Sequence, residues 1–363
     1  MKIALVHDHL NQIGGAERVL SAMHGIWPEA PLYTLVHDRK TISNFFDTLN
    51  IVPSFIQKFP FSISHLRWYL AFMPAAVESF NLSKYDVVLS SASAFAKGAI
   101  APSSAIHICY CHTPTRYLWS DSHTYLKEVG GGSIISKILP FVLQRLRIWD
   151  YVASQRVDHF IANSQFVAAR IKRYYNRDAT VIYPPVDVKN YPILPRMNYF
   201  VMVSRLRPYK KVDIAIRAFN RLNMPLVIIG DGEERDALRA LASPTIHFMG
   251  NVDERTKKKL LAGALGFIHP QEEDAGISAI EAMAAGTPVI AYGAGGALET
   301  IIPGETGVFF EEQTWQSLAD AVIRFKRQSF DYQRIRVHAQ QYSRERFERE
   351  LKHFVESAYA NRH

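Results

Sequence analysis

Residues 269–300 read HPQEEDAGISAIEAMAAGTPVIAYGAGGALET, and this stretch decides the fold. A short apolar run, 265–268, leads into it; after a polar turn, Ile277, Ile280, Ala284 and Ala285 recur at helical spacing. Gly276 marks the turn, and Gly286 with Pro288 ends the helix. The pattern predicts a strand running into a helix. A helix start carries unpaired backbone N–H groups and the positive end of the dipole, which suits a phosphate. Glu273 falls in the loop before that helix and Glu281 on its second turn. Two carboxylates flanking an anion site match the shape of a nucleotide sugar, with hydroxyls at each end and a diphosphate between them.

Outward from this junction the same alternation continues. Candidate strands are 3–6, 32–36, 87–90, 106–110 and 160–162, then 199–203, 226–229, 246–249, 265–268, 289–292 and 308–310. Buried strands alternating with helices predict parallel α/β sheets. The strands outnumber those of one compact sheet, so two doubly wound domains are expected. Pro184, Pro185, Pro192 and Pro195 interrupt regular structure and place a linker at 184–198. The domains are then 1–183 and 199–342. A last helix, 343–363, has helical spacing through Phe347, Leu351 and Phe354.

The bulk numbers agree with such a chain. Its 363 residues suffice for two cores. Apolar residues make up 48% and charged residues 21%, a globular balance. Two cysteines exclude a disulfide scaffold and suit a reducing cytosol. The opening MKIALVHDHL does not read as a signal peptide, because His7, Asp8 and His9 cut its apolar run short. No run of about 18 apolar residues occurs, so the expected place is the cytoplasm.

The net charge is +8 and the pI near 9.3, a balance that suits nucleic acid, anionic lipid or phosphorylated substrates. No RNA-recognition signature is present, so nucleic acid is not an expected partner. From 137 to 177 there are eight Lys and Arg against two Asp, interleaved with large apolar residues, as in SIISKILPFVLQRLRIWDYV. Such a basic amphipathic helix suits an anionic membrane surface; it equally suits a solvated face over a core stripe.

Five further stretches carry polar residues at strand exits. In VSRLRPYKKVDIAIRAF, Arg205 follows a strand and Lys210 stands before a helix, a pair of cations suited to a diphosphate. In HICYCHTPTRYLWSD, His112 sits at the exit of strand 106–110, where open α/β sheets hold ligands, and Arg116 follows it. His107, Cys109, Cys111 and His112 lack the spacing of a zinc knuckle, so no metal is expected and the cysteines read as small core residues. In HDHLNQIGGAERVL, Gly14 and Gly15 permit close backbone approach to an anionic substrate, with Asp8 and His9 on the acceptor side. In IIGDGEERDAL, Gly230 and Gly232 close a strand and open a helix. In GAGGALETI, Gly295 and Gly296 fit a structural turn, with Glu299 as a cap or ion-pair partner. The G-x-S-x-G, P-loop and G-x-G-x-x-G patterns are absent, and with the last of these a dehydrogenase loses its fingerprint.

These motifs resemble the family 4 retaining glycosyltransferases of the GT-B fold. Their signature is Glu, seven residues, Glu, then Ala-Met and Gly-Thr-Pro-Val. Here it runs from Glu273 to Glu281 and on through Ala282, Met283, Gly286, Thr287, Pro288 and Val289. The family's Arg-Leu-x-x-x-Lys matches Arg205, Leu206 and Lys210. The resemblance implies two Rossmann-like domains facing across a cleft, with the last helix returning to the N-terminal domain. It implies that Glu273 binds donor-sugar hydroxyls and Glu281 the ribose. Arg205, Lys210 and the helix start at Gly276 and Ile277 would hold the diphosphate. Gly230 and Gly232 would line the nucleotide cleft, Gly14 and Gly15 would approach the phosphates, and His112 would contact the sugar near the reacting carbon.

The stretches GGAERV and CHTPTRY look, more narrowly, like bacterial mannosyltransferases of O-antigen and exopolysaccharide synthesis. That likeness implies transfer of mannose from GDP-mannose to a polyprenyl-diphosphate-linked saccharide, at the inner face of the membrane. Front-face transfer with the departing phosphate as base is expected, with no cofactor and no metal. One position departs from the family, which carries Phe where this chain has Ala275. The Ala275→Phe chain is expected to fold and to change donor turnover. A GT-B sugar epimerase, or a nucleotide-sugar-binding protein without turnover, are the alternatives.

Overall fold

Residues 3–7, IALVH, are buried at every position, as a strand covered on both faces requires. In the computed structural model, which describes residues 1–42, 49–122, 125–126 and 134–362, they form β1 (Ile3–His7). The chain divides into two units, one of residues 1–185 with 347–363, the other of 186–346.

The first unit contains β1, β2 (Leu32–Thr34), β3 (Ile51–Pro53), β4 (Val87–Ala92), β5 (Ile106–Cys111), β6 (His159–Ala162) and β7 (Ala179–Val181). They lie in the order β3-β2-β1-β4-β5-β6-β7, and every pairing is parallel. The strand order therefore reverses between β1 and β4. Leu5, Leu89, Ile108 and Tyr110 fill one side of the sheet, together with Phe347, Leu351 and Val355 of the closing helix Arg344–Ala360. The 343–363 helix expected from sequence spans this element; His363 lies outside the described residues.

The second unit contains β8 (Phe200–Val203), β9 (Leu226–Ile229), β10 (Ile246–Gly250), β11 (Gly266–His269), β12 (Val289–Tyr292) and β13 (Gly307–Phe310). The order is β10-β9-β8-β11-β12-β13, again all parallel, with its reversal between β8 and β11. Helix Val212–Leu222 packs Val212, Ile216 and Phe219 onto this sheet. It is bounded by Lys211 and Asn223, both left-handed. Parallel strands buried along their length explain why they read as continuous apolar runs.

Residues 186–198, read as linker from their prolines, belong to the second unit. Arg196 Nη1 donates to the carbonyls of Ala262 (2.8 Å) and Ala264 (3.0 Å) and to Thr287 Oγ1 (2.6 Å). Its Nη2 donates to the Gly286 carbonyl at 2.5 Å. A guanidinium at the C-terminal end of helix Ile277–Ala284 satisfies carbonyls that the helix leaves unpaired.

Candidate active site

In the second unit, the loops after β8 and β11 flank the point where strand order reverses, the place where open α/β sheets hold ligands. The β8 loop carries Arg205 and Lys210; the β11 loop carries His269, Gln271 and Glu273. Lys210 Nζ is in direct contact with Glu273 Oε1, which also accepts from Gln271 Nε2 at 3.2 Å. Gln271 Nε2 lies 3.4 Å from His269 Nδ1. His269 is fully buried, and burial pushes its imidazole down to about 4, with Glu273 opposing and Lys210 adding to the shift. The ring is neutral at pH 7, and its Nε2 has no hydrogen-bond partner among the described residues. A Cβ on Gly276 would lie 3.7 Å from that nitrogen. Gly276 is left-handed (φ 65°) and opens helix Ile277–Ala284 with no side-chain cap on its first turn. The junction thus places a cation, a carboxylate, a buried ring nitrogen and a helix start together.

Glu281 lies one turn into the same helix and is buried beside Lys257, whose Nζ donates to Oε1 at 2.9 Å and also meets Glu254. Each carboxylate of the pair is therefore held by a lysine. Lys210 is visible in sequence as part of a motif. Lys257 lies in the run ERTKKKLL, where composition gives no sign of which lysine turns inward. Arg205 is exposed on the β8 loop, and Ile277 is half-buried on the first turn of its helix.

The glycines serve the loops. At Gly230 (φ +123°) a Cβ would meet the Ser204 carbonyl oxygen at 2.0 Å, and at Gly232 it would meet that of Leu206 at 2.4 Å. They let the β9 exit press against the loop that carries Arg205. Gly295 and Gly296 do the same for the other loop: their Cβ atoms would meet the carbonyl oxygens of Glu273 (2.4 Å) and Asp274 (2.5 Å), and Gly296 N donates to Glu273 O. Ala275 is buried there, 2.9 Å from the position of a Gly296 Cβ.

In the first unit, His112 follows β5, as its strand-exit position predicts. Its Nε2 lies 2.8 Å from Ser91 Oγ in β4, and burial pushes its ring down to about 4. Gly14 precedes helix Gly15–Ile26 as its N-terminal cap. Asp8, assigned to the acceptor side from sequence, does something else. Its two oxygens accept from the backbone N–H groups of Ser93, Ala94, Phe95 and Ala96 at 2.7–2.9 Å. Its carboxylate is spent on tying β1 to the turn after β4. Burial alone would raise its pKa, but His7, His9 and those amides outweigh it and hold the group low.

The HTPTRYLW loop is anchored from beneath by Asp150. Its Oδ1 accepts from Lys97 Nζ (2.5 Å) and Thr115 Oγ1 (2.7 Å), and its Oδ2 from Trp119 Nε1 and Tyr175 Oη, each at 2.8 Å. Cys109 and Cys111 are buried in the same core, and burial pushes the Cys109 thiol up to about 12. Sequence reading missed Lys97 and Asp150, which are 53 positions apart.

Comparison with known proteins adds the family. The pattern described as Glycosyltransferase Family 4 matches residues 13–190, and that described as Glycosyl transferases group 1 matches 187–346. This chain belongs to the family 4 glycosyltransferases. Among its relatives is an α-1,3/1,6-mannosyltransferase of Schizosaccharomyces pombe, 24% identical over 85% of this chain and 70% of that one. A GDP-mannose-dependent α-mannosyltransferase of Mycolicibacterium smegmatis is 33% identical over 33% of this chain, a match that spans about a third (32%) of that enzyme's length. A GDP-mannose-dependent phosphatidylinositol-monomannoside mannosyltransferase of Corynebacterium glutamicum is 30% identical over 54% of this chain and 61% of its own. Among solved structures, HepE of Anabaena in complex with UDP superposes with a TM-score of 0.73 at 20% identity, over 98% of this chain and all (100%) of its own. At that identity the likeness is one of fold, and it gives the glycosyltransferase its GT-B class.

Proposed function

We propose that this glycosyltransferase is a retaining, metal-independent mannosyltransferase that takes GDP-mannose as donor and a polyprenyl-diphosphate-linked saccharide as acceptor. The observation that carries the donor site is the Lys210–Glu273 contact beside the uncapped helix start at Gly276. Cations and first-turn amides suit the diphosphate, while the neutral His269 Nε2 is a donor in search of an oxygen. In this reading Glu273 accepts from sugar hydroxyls and Glu281, steadied by Lys257, from the ribose. The acceptor hydroxyl attacks on the face the diphosphate leaves, and that phosphate takes its proton. Arg205 and Lys210 stabilise the charge growing on the leaving group, the work a divalent metal does elsewhere. His112, in the first unit, is assigned to a sugar hydroxyl.

The names of the Mycolicibacterium and Corynebacterium relatives favour guanine and mannose; the UDP in HepE favours uracil. The membrane-side acceptor is supported by helix Ile134–Gln155. It turns Leu139, Leu143, Leu146 and Ala153 inward, yet Ile138, Phe141, Ile148 and Val152 stand exposed on its other face with Lys137 and Arg145. Ser133, at the start of the stretch read as amphipathic, lies outside the described residues. Among the described residues, no helix is long and apolar enough to cross a membrane.

The test is thermal stability of the purified chain in chelator against GDP, UDP and their mannose and glucose conjugates. A ligand at 100 times its Kd adds about 2.7 kcal/mol. Stabilisation by GDP and GDP-mannose, lost in Glu281→Ala, is the expected result. A response to uridine nucleotides alone overturns the donor, and no response to any nucleotide overturns the reading.

A further inference from the structure

The reversal of strand order in the first unit places behind His112 three side chains, His7, Glu17 and Ser91, that neither the family motifs nor the proposed donor site uses. His7 ends β1 and Ser91 lies in β4, and the two are Cα partners in the register, so their side chains share a face of the sheet. His7 Nδ1 is 3.2 Å from Ser91 Oγ, and the same Oγ is 2.8 Å from His112 Nε2. On the other side His7 Nε2 is 3.7 Å from Glu17 Oε1, on the first turn of helix Gly15–Ile26. His7, Glu17 and Ser91 are all buried. The other acid nearby, Asp8, is committed to its four backbone amides. Four side chains from β1, its following helix, β4 and the β5 exit thus make a continuous chain of polar contacts.

Its direction follows from Glu17. Burial opposes the charge on this carboxylate, but the neighbouring imidazoles and a backbone N–H together outweigh burial and hold the group down at about 2. An ionised carboxylate only accepts, so when the His7 ring carries a single proton, that proton faces Glu17 on Nε2. His7 Nδ1 is then an acceptor, and the Ser91 hydroxyl must donate to it. The Ser91 oxygen, having given its proton that way, accepts from His112, so the His112 proton sits on Nε2.

We propose that Glu17, His7 and Ser91 act as positioning residues that fix His112 as the Nε2–H tautomer, presenting its Nδ1 as a hydrogen-bond acceptor for a ligand hydroxyl. The tautomer stands on the contacts of the cluster and the ionised Glu17; its ligand rests on the glycosyltransferase reading. A sugar hydroxyl that donates to Nδ1 fits, whereas a phosphate oxygen, which has no proton to give at neutral pH, does not. Low basicity suits this role, because a ring that stays neutral keeps its acceptor lone pair.

The experiment is a long-range 1H–15N correlation spectrum of the full chain with 15N-labelled histidine at pH 8, with His112 assigned by the peaks lost in His112→Gln. We expect His112 to show a protonated Nε2 and a bare Nδ1. Ser91→Ala should move both nitrogens toward tautomer-averaged positions, and Ser91→Thr, which keeps the hydroxyl, should restore them. A proton on Nδ1 of the unaltered chain overturns the proposal, and so does a His112 pattern unchanged by Ser91→Ala. Because the spectrum needs no donor, it separates this idea from the function: a chain that binds no nucleotide can still give the expected tautomer.

Discussion

At the scale of single residues, the two signature carboxylates are legible because their spacing is local, eight positions along one strand–helix junction. Their lysine partners divide. Lys210 sits in a motif, while Lys257 arrives from a helix whose sequence shows only a run of charges. The Lys257–Glu281 pair is nearly closed to water, with side chains 7% and 5% exposed. Removing one member of such a pair strands the other, at a typical cost of about 3–5 kcal/mol. We expect Lys257→Met to lose stability on that scale in a denaturant titration and to weaken nucleotide binding. The double change Lys257→Met with Glu281→Met should recover most of the stability, since no charge is left buried, but none of the binding. Recovery of both would show that Glu281 does not touch the ligand. His7, Ser91 and Glu17 were illegible for the same reason as Lys257. His7 and Ser91 lie 84 positions apart and meet only through the register of β1 on β4, and Glu17 joins them from the helix that follows β1.

At the scale of elements, eleven strands could be read because each buried strand is a short apolar run between polar turns. The two that escaped, β3 and β7, are three-residue strands at the sheet edges, where only part of each residue is covered and no run develops. The sequence also ended β4 at residue 90; the strand runs on through Ser91 and Ala92, where paired serines have already broken the apolar run. Loop positions depend on glycines whose need is invisible without the neighbour they face. Gly230 and Gly304 both have positive φ, +123° and +80°, but Gly304 has nothing within 4 Å of a Cβ. Gly304→Ala should therefore cost only backbone strain, about 1 kcal/mol, with nucleotide binding unchanged. Gly230→Ala should cost more and weaken binding, because its methyl displaces the Ser204 carbonyl and with it the loop of Arg205. Equal effects of the two in calorimetry and nucleotide titration would deny that Gly230 positions that loop. Helix Ile134–Gln155 makes its own prediction. If the exposed face meets the membrane as proposed, Phe141→Glu with Ile148→Glu, both on exposed positions, should leave the melting temperature within a degree or two and abolish sedimentation with anionic phospholipid vesicles. Unchanged sedimentation would remove this face from any membrane contact.

At the scale of the whole molecule, the buried imidazoles set a response to acid. Burial pushes His107 down to about 3 and His112 and His269 down to about 4, from an ordinary value of 6.5. His24 and His37 are lowered in the same sense, also by burial. Between pH 6.5 and 4 the unfolded chain takes up protons that these folded-state rings refuse. Acid therefore favours unfolding, and each fully shifted ring adds a slope of about 1.4 kcal/mol per pH unit. The depressed carboxylates Asp8 and Glu17 act later: their stabilisation is intact above their ordinary values of 3.8 and 4.5 and falls away only below them. The distribution between units is uneven. His24, His37, His107 and His112 belong to the first unit, and His269 to the second. Scanning calorimetry between about pH 7 and pH 5 should therefore show the first unit's transition falling faster than the second's, so that their spacing changes as acid is added. His269→Gln should flatten the second unit's slope without moving the first. If both transitions keep their spacing across this range, the imidazoles charge in the folded state, and the neutral His112 that an Nδ1 acceptor requires is lost with them.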